Sequence, residues 1–298
     1  MSKTATWLLD HRAQAYSQSG EDGIIAKILE TLPHRDNWCV EFGALDGASL
    51  SNVRNLIENA CYSAVLIEAS KSRFKQLEAN YSGSAKVTAF NRIVGFGAND
   101  NLDCILSETA IPADFDFLSI DIDGNDYHVW KSSTRYAPKA VCIEFNHTVP
   151  NEVSFVQPAD PKISQGSSLL ALVELGKEKG YELVCVEGVN AFFVKSQYFP
   201  LFEIADNSVA VLRRDLSAVT HLFIGYDGTV FLHGRSVLPW HCKLPLKASS
   251  MQRLPWFLRK FSDSYNFFER LAFASYLLFS SPRTLIDEVR KRHAARRR

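Results

Sequence analysis

The sequence predicts an α/β protein built on a doubly wound, mostly parallel sheet of seven strands, and three observations carry that expectation. Short apolar runs, among them those in "NWCVEFGALDGASLSN", "SAVLIEAS", "FDFLSIDIDGNDYHVW" and "KAVCIEFNH", alternate with amphipathic segments. That alternation marks right-handed crossover units and a parallel sheet. Several of the runs end in an acid, at the strand ends where open parallel sheets bind their ligands. The last two runs, "YELVCVEG" and "NAFFVKS", have hairpin-like spacing, so the sheet should finish antiparallel.

Composition sets the frame. With 298 residues, 46% hydrophobic and 22% charged, the chain can bury a full core and is long enough for one large domain plus an appendage. The expected division is 1–214 for the sheet domain and 215–298 for a small α+β appendage. The formal net charge is zero, so no nucleic-acid partner is expected, although the final "RKRHAARRR" is strongly basic. Six cysteines show no C-x-x-C spacing, and Cys39, Cys142 and Cys185 fall in apolar runs, as small buried residues of a reducing compartment do. A cytoplasmic location is therefore expected. The N-terminal stretch lacks the apolar core of a signal peptide, and Leu271 to Phe279 is too short to span a bilayer.

In chain order, Met1 to Gln14 reads as a short leading helix. Ser19 or Gly20 can cap the next helix, whose first turn carries Glu21 and Asp22 and whose apolar face includes Ile24, Ile25, Ile28 and Leu29. Tyr16 to Glu21 stands directly before the first strand, where it could arch over a bound cofactor. "VRNLIENACY" and Lys71 to Tyr81 read as helices, "KVTAFNRIVG" as a third strand and "NDNLDCILSE" as a helix start. The polar, proline-broken Thr148 to Ser164 is a candidate active-site lid. "SSLLALVELGKEKG" follows as a helix, with Gly180 just past its end.

The first strand and its turn organise the rest. The turn reads E-F-G-A-L-D-G, without the G-x-G-x-x-G that seats a pyrophosphate on a helix N-terminus. Glu41 and Asp46 would repel a pyrophosphate. They suit a ligand cationic at one end and hydroxylated at the other, which describes S-adenosylmethionine. Gly43 and Gly47 allow close approach, and Glu68, ending the second strand, can accept hydrogen bonds from both ribose hydroxyls.

Together "SQSGEDGI", "EFGALDGASLSN", "LIEAS", "FDFLSIDIDGNDYHVW" and "IEFNHTVP", spanning Tyr16 to about Ser196, resemble the FkbM-type methyltransferases of the class I, Rossmann-like, S-adenosylmethionine-dependent fold. That family usually carries D-x-E-G after the fourth strand; here it reads Asp121, Ile122, Asp123, Gly124. The resemblance implies O-methylation of a hydroxyl on a sugar, glycan or glycan-lipid precursor, and a part in polysaccharide biosynthesis. It assigns the cofactor to Gln18, Ser19, Glu41, Gly43, Ala44, Asp46, Gly47, Ser51, Asn52, Glu68, Ala69, Asn91 and Asp121. Two other classes stay open: a nicotinamide-dependent oxidoreductase on the same kind of sheet, and a non-catalytic glycan-assembly scaffold.

Methyl transfer from a sulfonium is an in-line displacement, so alignment can supply roughly 7–11 kcal/mol and a positioned base about 10²–10⁴-fold. Asp121, Asp123, Glu144 and His147 stand at the ends of two strands expected to be neighbours. Two solutions are open. Asp121, Asp123 and Glu144 could hold Mg²⁺ or Mn²⁺, or one group could stay neutral while the others bind the acceptor directly. His147 is the candidate base in either case, and His128 reads as a solvent-exposed surface histidine.

In the appendage, "VTHLFIGYDGTVFLHG" reads as a hairpin turning at Asp227 and Gly228. The aromatic-rich Leu254 to Phe279 reads as core or as a homodimer interface. Alternatively it forms, with the amphipathic basic helix from Pro282, a peripheral contact at the inner face of a membrane.

Overall fold

The computed structural model describes residues 4–295, and of residues 292–295 the backbone alone. The chain divides after Leu216 into two compact units. The terminal Arg296, Arg297 and Arg298 of the basic tail lie outside the described residues, as do Met1 to Lys3 of the expected leading helix. What is described of that helix is a single 3₁₀ stretch, Trp7–His11.

The first unit is the expected seven-stranded sheet. Its strands are β1 (Trp38–Phe42), β2 (Ser63–Ile67), β3 (Val87–Phe90), β4 (Phe117–Ile120), β5 (Ala140–Glu144), β6 (Tyr181–Glu187) and β7 (Asn190–Lys195), in the order β3-β2-β1-β4-β5-β7-β6. The pairs from β3 to β5 are parallel, and β7 runs antiparallel between β5 and β6. The order reverses between β1 and β4, the switch point at which such sheets form a ligand crevice.

Helix α1 (Glu21–Thr31) precedes β1, helices α2 (Arg54–Asn59), α3 (Lys71–Tyr81), α4 (Leu102–Leu106), α5 (Asp126–Ser132) and α6 (Leu169–Glu178) link successive strands, and a single turn α7 (Val209–Leu212) follows them. Alternate strand residues feed two cores, as a period of two requires. Val40, Phe42, Val65, Ile67, Leu118 and Ile120 join one apolar cluster, while Cys39, Ala64, Leu66, Phe117 and Cys142 join the other. Ile24, Ile25, Ile28 and Leu29 of α1 pack into the second cluster, as their spacing predicted. The cap of α1 is Gly20, in the left-handed region at φ +92°, with no side-chain cap bond. Ser70, Asn101 and Ser168 cap α3, α4 and α6 through their side chains.

The second unit holds two small antiparallel pairs, β8 (Thr220–Ile224) with β9 (Val230–Gly234), and β10 (Val237–Leu238) with β11 (Leu244–Pro245). The β8–β9 turn contains Asp227 and Gly228 as expected, with Asp227 accepting from the Thr229 N–H at 2.9 Å. Three helices complete it: α8 (Ala248–Met251), α9 (Phe267–Ser280) and α10 (Pro282–Ala295). Among the described residues no helix is long and apolar enough to cross a membrane.

Candidate active site

The ends of β1 and β4 meet so closely that only glycine fits between them. Gly43 has φ +74°, and a Cβ there would lie 1.7 Å from the Asp121 carbonyl oxygen. The turn beyond is held from inside by Asp46, which accepts from the Ala48 N–H at 3.0 Å and from the Ser49 N–H and hydroxyl. Although partial burial alone would raise its pKa, these donors hold Asp46 below the usual carboxylate range. Gly47, at φ +71°, is overlain by Tyr81, whose hydroxyl donates to the Gly47 carbonyl at 2.8 Å.

Glu41 ends up inside rather than facing the crevice. It accepts from the Ser51 hydroxyl at 2.6 Å and the Asn52 N–H at 2.8 Å, so it fastens the segment before α2 to the strand. Asn52 in turn donates to the Ser119 hydroxyl on β4 at 3.1 Å. Burial pushes Glu41 from its ordinary 4.5 up to about 7, against those two hydrogen bonds, with the charges of Asp121 and Asp22 adding to the rise. A folded-state pKa raised in this way stabilises the fold fully below the unfolded value, and the contribution is lost as pH climbs through about 7. The shift corresponds to about 3 kcal/mol. The ligand-free protein should therefore melt at a lower temperature at pH 8 than at pH 5, and Glu41→Gln should flatten that slope. A melting profile unchanged by the substitution would count against a buried, proton-holding Glu41.

Glu68 follows β2 directly and lies beside the β1 turn. Its carboxylate accepts from the Leu45 N–H at 2.8 Å and the Ser70 N–H at 2.6 Å, one bond on each oxygen. A carboxylate has about four acceptor sites, so these two donors do not exhaust it. Asn91 donates to the carbonyls of Glu68 and Ala69, which fixes the end of β2. Leu45 and Leu50 both hold positive φ, at 51° and 58°, in this same turn. Such backbone costs on the order of 1–3 kcal/mol and persists where the surroundings impose it.

The segment before α1 is tied at both ends. The hydroxyl of Tyr16 donates to Glu58 at 2.9 Å, with the Arg54 guanidinium over the tyrosine ring. One oxygen of Asp22 accepts from the N–H groups of Ala15, Tyr16 and Ser17 and from the Ser17 hydroxyl. Glu21 takes the Ser19 N–H and the Asn190 side-chain amide at the start of β7. Gln18 and Ser19 are left exposed on this arch.

Across the switch point, Asp121, Asp123 and Glu144 bring carboxylate oxygens within 4.8 Å of one another. The turn that aims them is organised by Asp126, which escaped the sequence reading. Fully buried at the start of α5, it accepts from the Ile122 and Gly124 N–H groups, each at 2.9 Å, and supports Asp123 at φ +56°. Burial raises Asp126 to about 6 despite both bonds. Glu144 is raised much further, by burial first and then by the charges of Asp121 and Asp126. Asp121, exposed at the crevice, is raised as well, by loss of solvation around its carboxyl and then by the charges of Asp123 and Glu21, while its bond with Glu144 opposes the rise. The two carboxyls are hydrogen-bonded to each other, and both are held above the ordinary carboxylate range, so the pair retains a proton between them.

His147 is not one of that group of acids. Its carbonyl is clamped by Arg213, whose guanidinium also donates to the Val149 carbonyl and to Asn151 and lies over the Phe145 ring. His128, expected on the open surface, is half-buried and bonded to the Gln157 carbonyl at 2.8 Å, with Phe96 and Tyr127 against its ring. The correction has a local cause: the loop 148–164 folds back over α5. Gln157, buried within that loop, accepts from the N–H groups of Gln165 and Gly166 and donates to the Ile163 carbonyl, while Asn125 donates to the carbonyls of Asp160 and Ile163. The candidate lid is thus pinned at its base as a wall beside the acids.

No family model matches the chain, and no curated protein matches it. Solved structures with a similar backbone include the N-terminal domain of EvdMO1 with SAH bound, which is 13% identical, with 60% of this chain and 80% of that one covered and a TM-score of 0.38. Magnesium protoporphyrin IX methyltransferase (ChlM) from Synechocystis PCC 6803, with bound SAH, is 8% identical over 59% and 81% of the two chains at a TM-score of 0.39. A putative sarcosine dimethylglycine methyltransferase from Galdieria sulphuraria is 16% identical over 55% and 62%, at 0.37. These likenesses concern the path of the backbone, and no residue role is carried across from them.

Proposed function

We propose that this chain is an S-adenosylmethionine-dependent O-methyltransferase of the FkbM type its motifs resemble, acting on a hydroxyl of a sugar, glycan or glycan-lipid precursor. One observation carries the reading. Asp121 and Asp123 stand exposed at the switch point beside Glu144, with Glu21 near enough for its charge to act on Asp121, and none of these acids forms an ion pair with lysine or arginine among the described residues. Such an edge attracts a sulfonium and an ammonium and repels a pyrophosphate. That favours S-adenosylmethionine over a nicotinamide cofactor.

In this reading Glu68 holds the ribose, the turn from Gly43 to Gly47 admits the methionine portion, and the arch at Gln18 and Ser19 covers it. The acceptor enters between the acids and the pinned loop. Asp121 and Asp123, with Glu144, orient its hydroxyl. Three oxygen donors at this spacing also suit a hard cation, so Asp121, Asp123 and Glu144 are the residues that would hold Mg²⁺ or Mn²⁺. The cation would act there by lowering the pKa of a bound hydroxyl. His147 is retained as the candidate base.

Titration calorimetry with S-adenosylhomocysteine and with NAD separates the two cofactor classes, the first being expected to bind and the second not. Glu68→Ala should weaken S-adenosylhomocysteine about ten- to a hundredfold, the loss of a charged acceptor serving two hydroxyls. Unchanged affinity would remove Glu68 from the ribose. Labelled-methyl transfer to surface polysaccharide precursors tests the acceptor class.

A further inference from the structure

The zero net charge of the chain conceals a division. Residues 217–298 carry 14 Lys and Arg against 5 Asp and Glu, whereas residues 1–216 carry 19 against 28, so the two units stand at +9 and −9. The second unit keeps +6 even without the three terminal arginines.

The same unit is almost coreless. Of the 23 large apolar side chains exposed among the described residues, 17 fall in it, whereas it contributes only Ala218, Val219, Leu258 and Tyr265 to the buried apolar set. Helix α9 is the extreme case. It is a fourteen-residue helix whose only charges, Glu269 and Arg270, lie in its first turns, and none of its residues is buried. Phe267, Phe268 and Phe279 are 75%, 78% and 87% exposed. A helix this apolar and this exposed lacks the partner that such a face requires. Helix α10 follows at once and sets Arg283, Arg290 and Lys291 beside Ile286 and Val289. On the neighbouring segment Trp256 is 79% exposed, beside Arg259 and Lys260.

We propose that the second unit docks the protein on an anionic lipid surface, with the aromatic side chains of α9 and of the Trp256 segment entering the headgroup boundary and the basic residues meeting the lipid charge. Charge decides the occupant. A symmetric dimer through this patch would set one cationic surface against its copy, since a two-fold interface presents the same patch on both sides, and like charges there are penalised. An anionic membrane accepts both the charge and the aromatics, which is the composition of interfacial helices. Base stacking would use the aromatics, but the Leu and Ile at Leu271, Leu278 and Ile286 offer no such contact to a nucleic acid. The proposal is independent of the methyltransferase reading, because its test uses no turnover.

The test is co-sedimentation of the full chain with vesicles of phosphatidylcholine alone and of equimolar phosphatidylcholine and phosphatidylglycerol. Binding is expected to the anionic vesicles at low salt and to fall as salt screens the surface. Each basic residue near the surface multiplies partitioning about fivefold. Arg283→Glu, Arg290→Glu and Lys291→Glu combined should then lower it by at least about a hundredfold. Phe267→Ser with Phe268→Ser and Phe279→Ser should reduce binding that persists at high salt. Circular dichroism unchanged from the parent keeps either result from being a folding defect. Equal binding to both vesicle types, no binding at low salt, or anionic binding indifferent to both sets of substitutions would overturn the proposal. So would tighter binding to an oligonucleotide than to the anionic vesicles, or a lipid-free oligomer that the phenylalanine substitutions dissolve.

Discussion

Asp121→Asn is expected to lower the proposed methyl transfer by about 10²–10³-fold, the range that a preorganised charge at the reacting centre commands, with a much smaller loss in S-adenosylhomocysteine affinity. Asp121 ends β4, beside β1 across the switch point, and shares its proton with Glu144. Asparagine keeps the shape and removes the charge that either solution needs. The two solutions then part. If a cation is used, chelator should abolish turnover and Mg²⁺ or Mn²⁺ restore it. Because the Asp121–Glu144 pair is raised above the ordinary carboxylate range, cation uptake must displace the proton it retains, so affinity should rise with pH. If no cation is used, chelator should leave the rate unchanged and His147→Ala should lower it by about 10²-fold or more. Chelator-insensitive turnover that survives both Asp121→Asn and His147→Ala would sink both versions and move the chemistry out of the acid cluster.

Gly43→Ala should destabilise the fold by about 3 kcal/mol, at the upper end of ordinary single substitutions. Two costs coincide there: a φ of +74°, and a Cβ driven 1.7 Å from a backbone oxygen that cannot turn aside as a side chain would. Gly83→Ala is the control, since a Cβ there meets nothing within 4 Å. It should be neutral or slightly stabilising. Urea unfolding of the two variants against the parent measures the difference. Equal midpoints for Gly43→Ala and Gly83→Ala would show that β1 and β4 do not close on each other as described.

The sheet was legible because its information is local. Apolar runs such as Val65 to Ile67 and Val141 to Ile143 announce strands by themselves, and the acids that follow mark the carboxyl edge. The meeting of Asp121, Asp123 and Glu144 was legible for the same reason, since adjacent parallel strands bring their ends together. What could not be read were the partners. Glu41 and Glu68 look alike in sequence, each an acid ending an apolar run. Both are buried with one donor on each oxygen, but Glu41 ties β1 to the segment before α2 through Ser51 and Asn52, while Glu68 ties the end of β2 to the β1 turn through Leu45, and neither partner set is local enough to read. Arg213 is 66 residues from the His147 carbonyl it holds, and nothing local to either predicts the pairing. Asp126 was hidden among the other acids of its motif; the one available signal was its place at the first position of a helix after a D-G turn. His128 was misread because a loop 29 residues on supplies its acceptor. In the second unit the hairpin at Asp227 and the helix from Pro282 were legible, whereas α9 was not separable from a core or interface stripe, since its exposure depends on what packs against it.

The manner in which Gln157 fastens the loop 148–164 separates inheritance from experiment in this molecule. The loop is tied along its length, by Arg213 at Val149 and Asn151, by Ser168 at Phe155 and by Gln157 and Asn125 at Ile163, and between those ties Val153 and Val156 keep their side chains exposed. The two valine side chains can therefore change over generations while the fastening stays fixed. Such change would reshape the outer face of the loop and leave the turns after β1 and β2 as an unaltered inheritance.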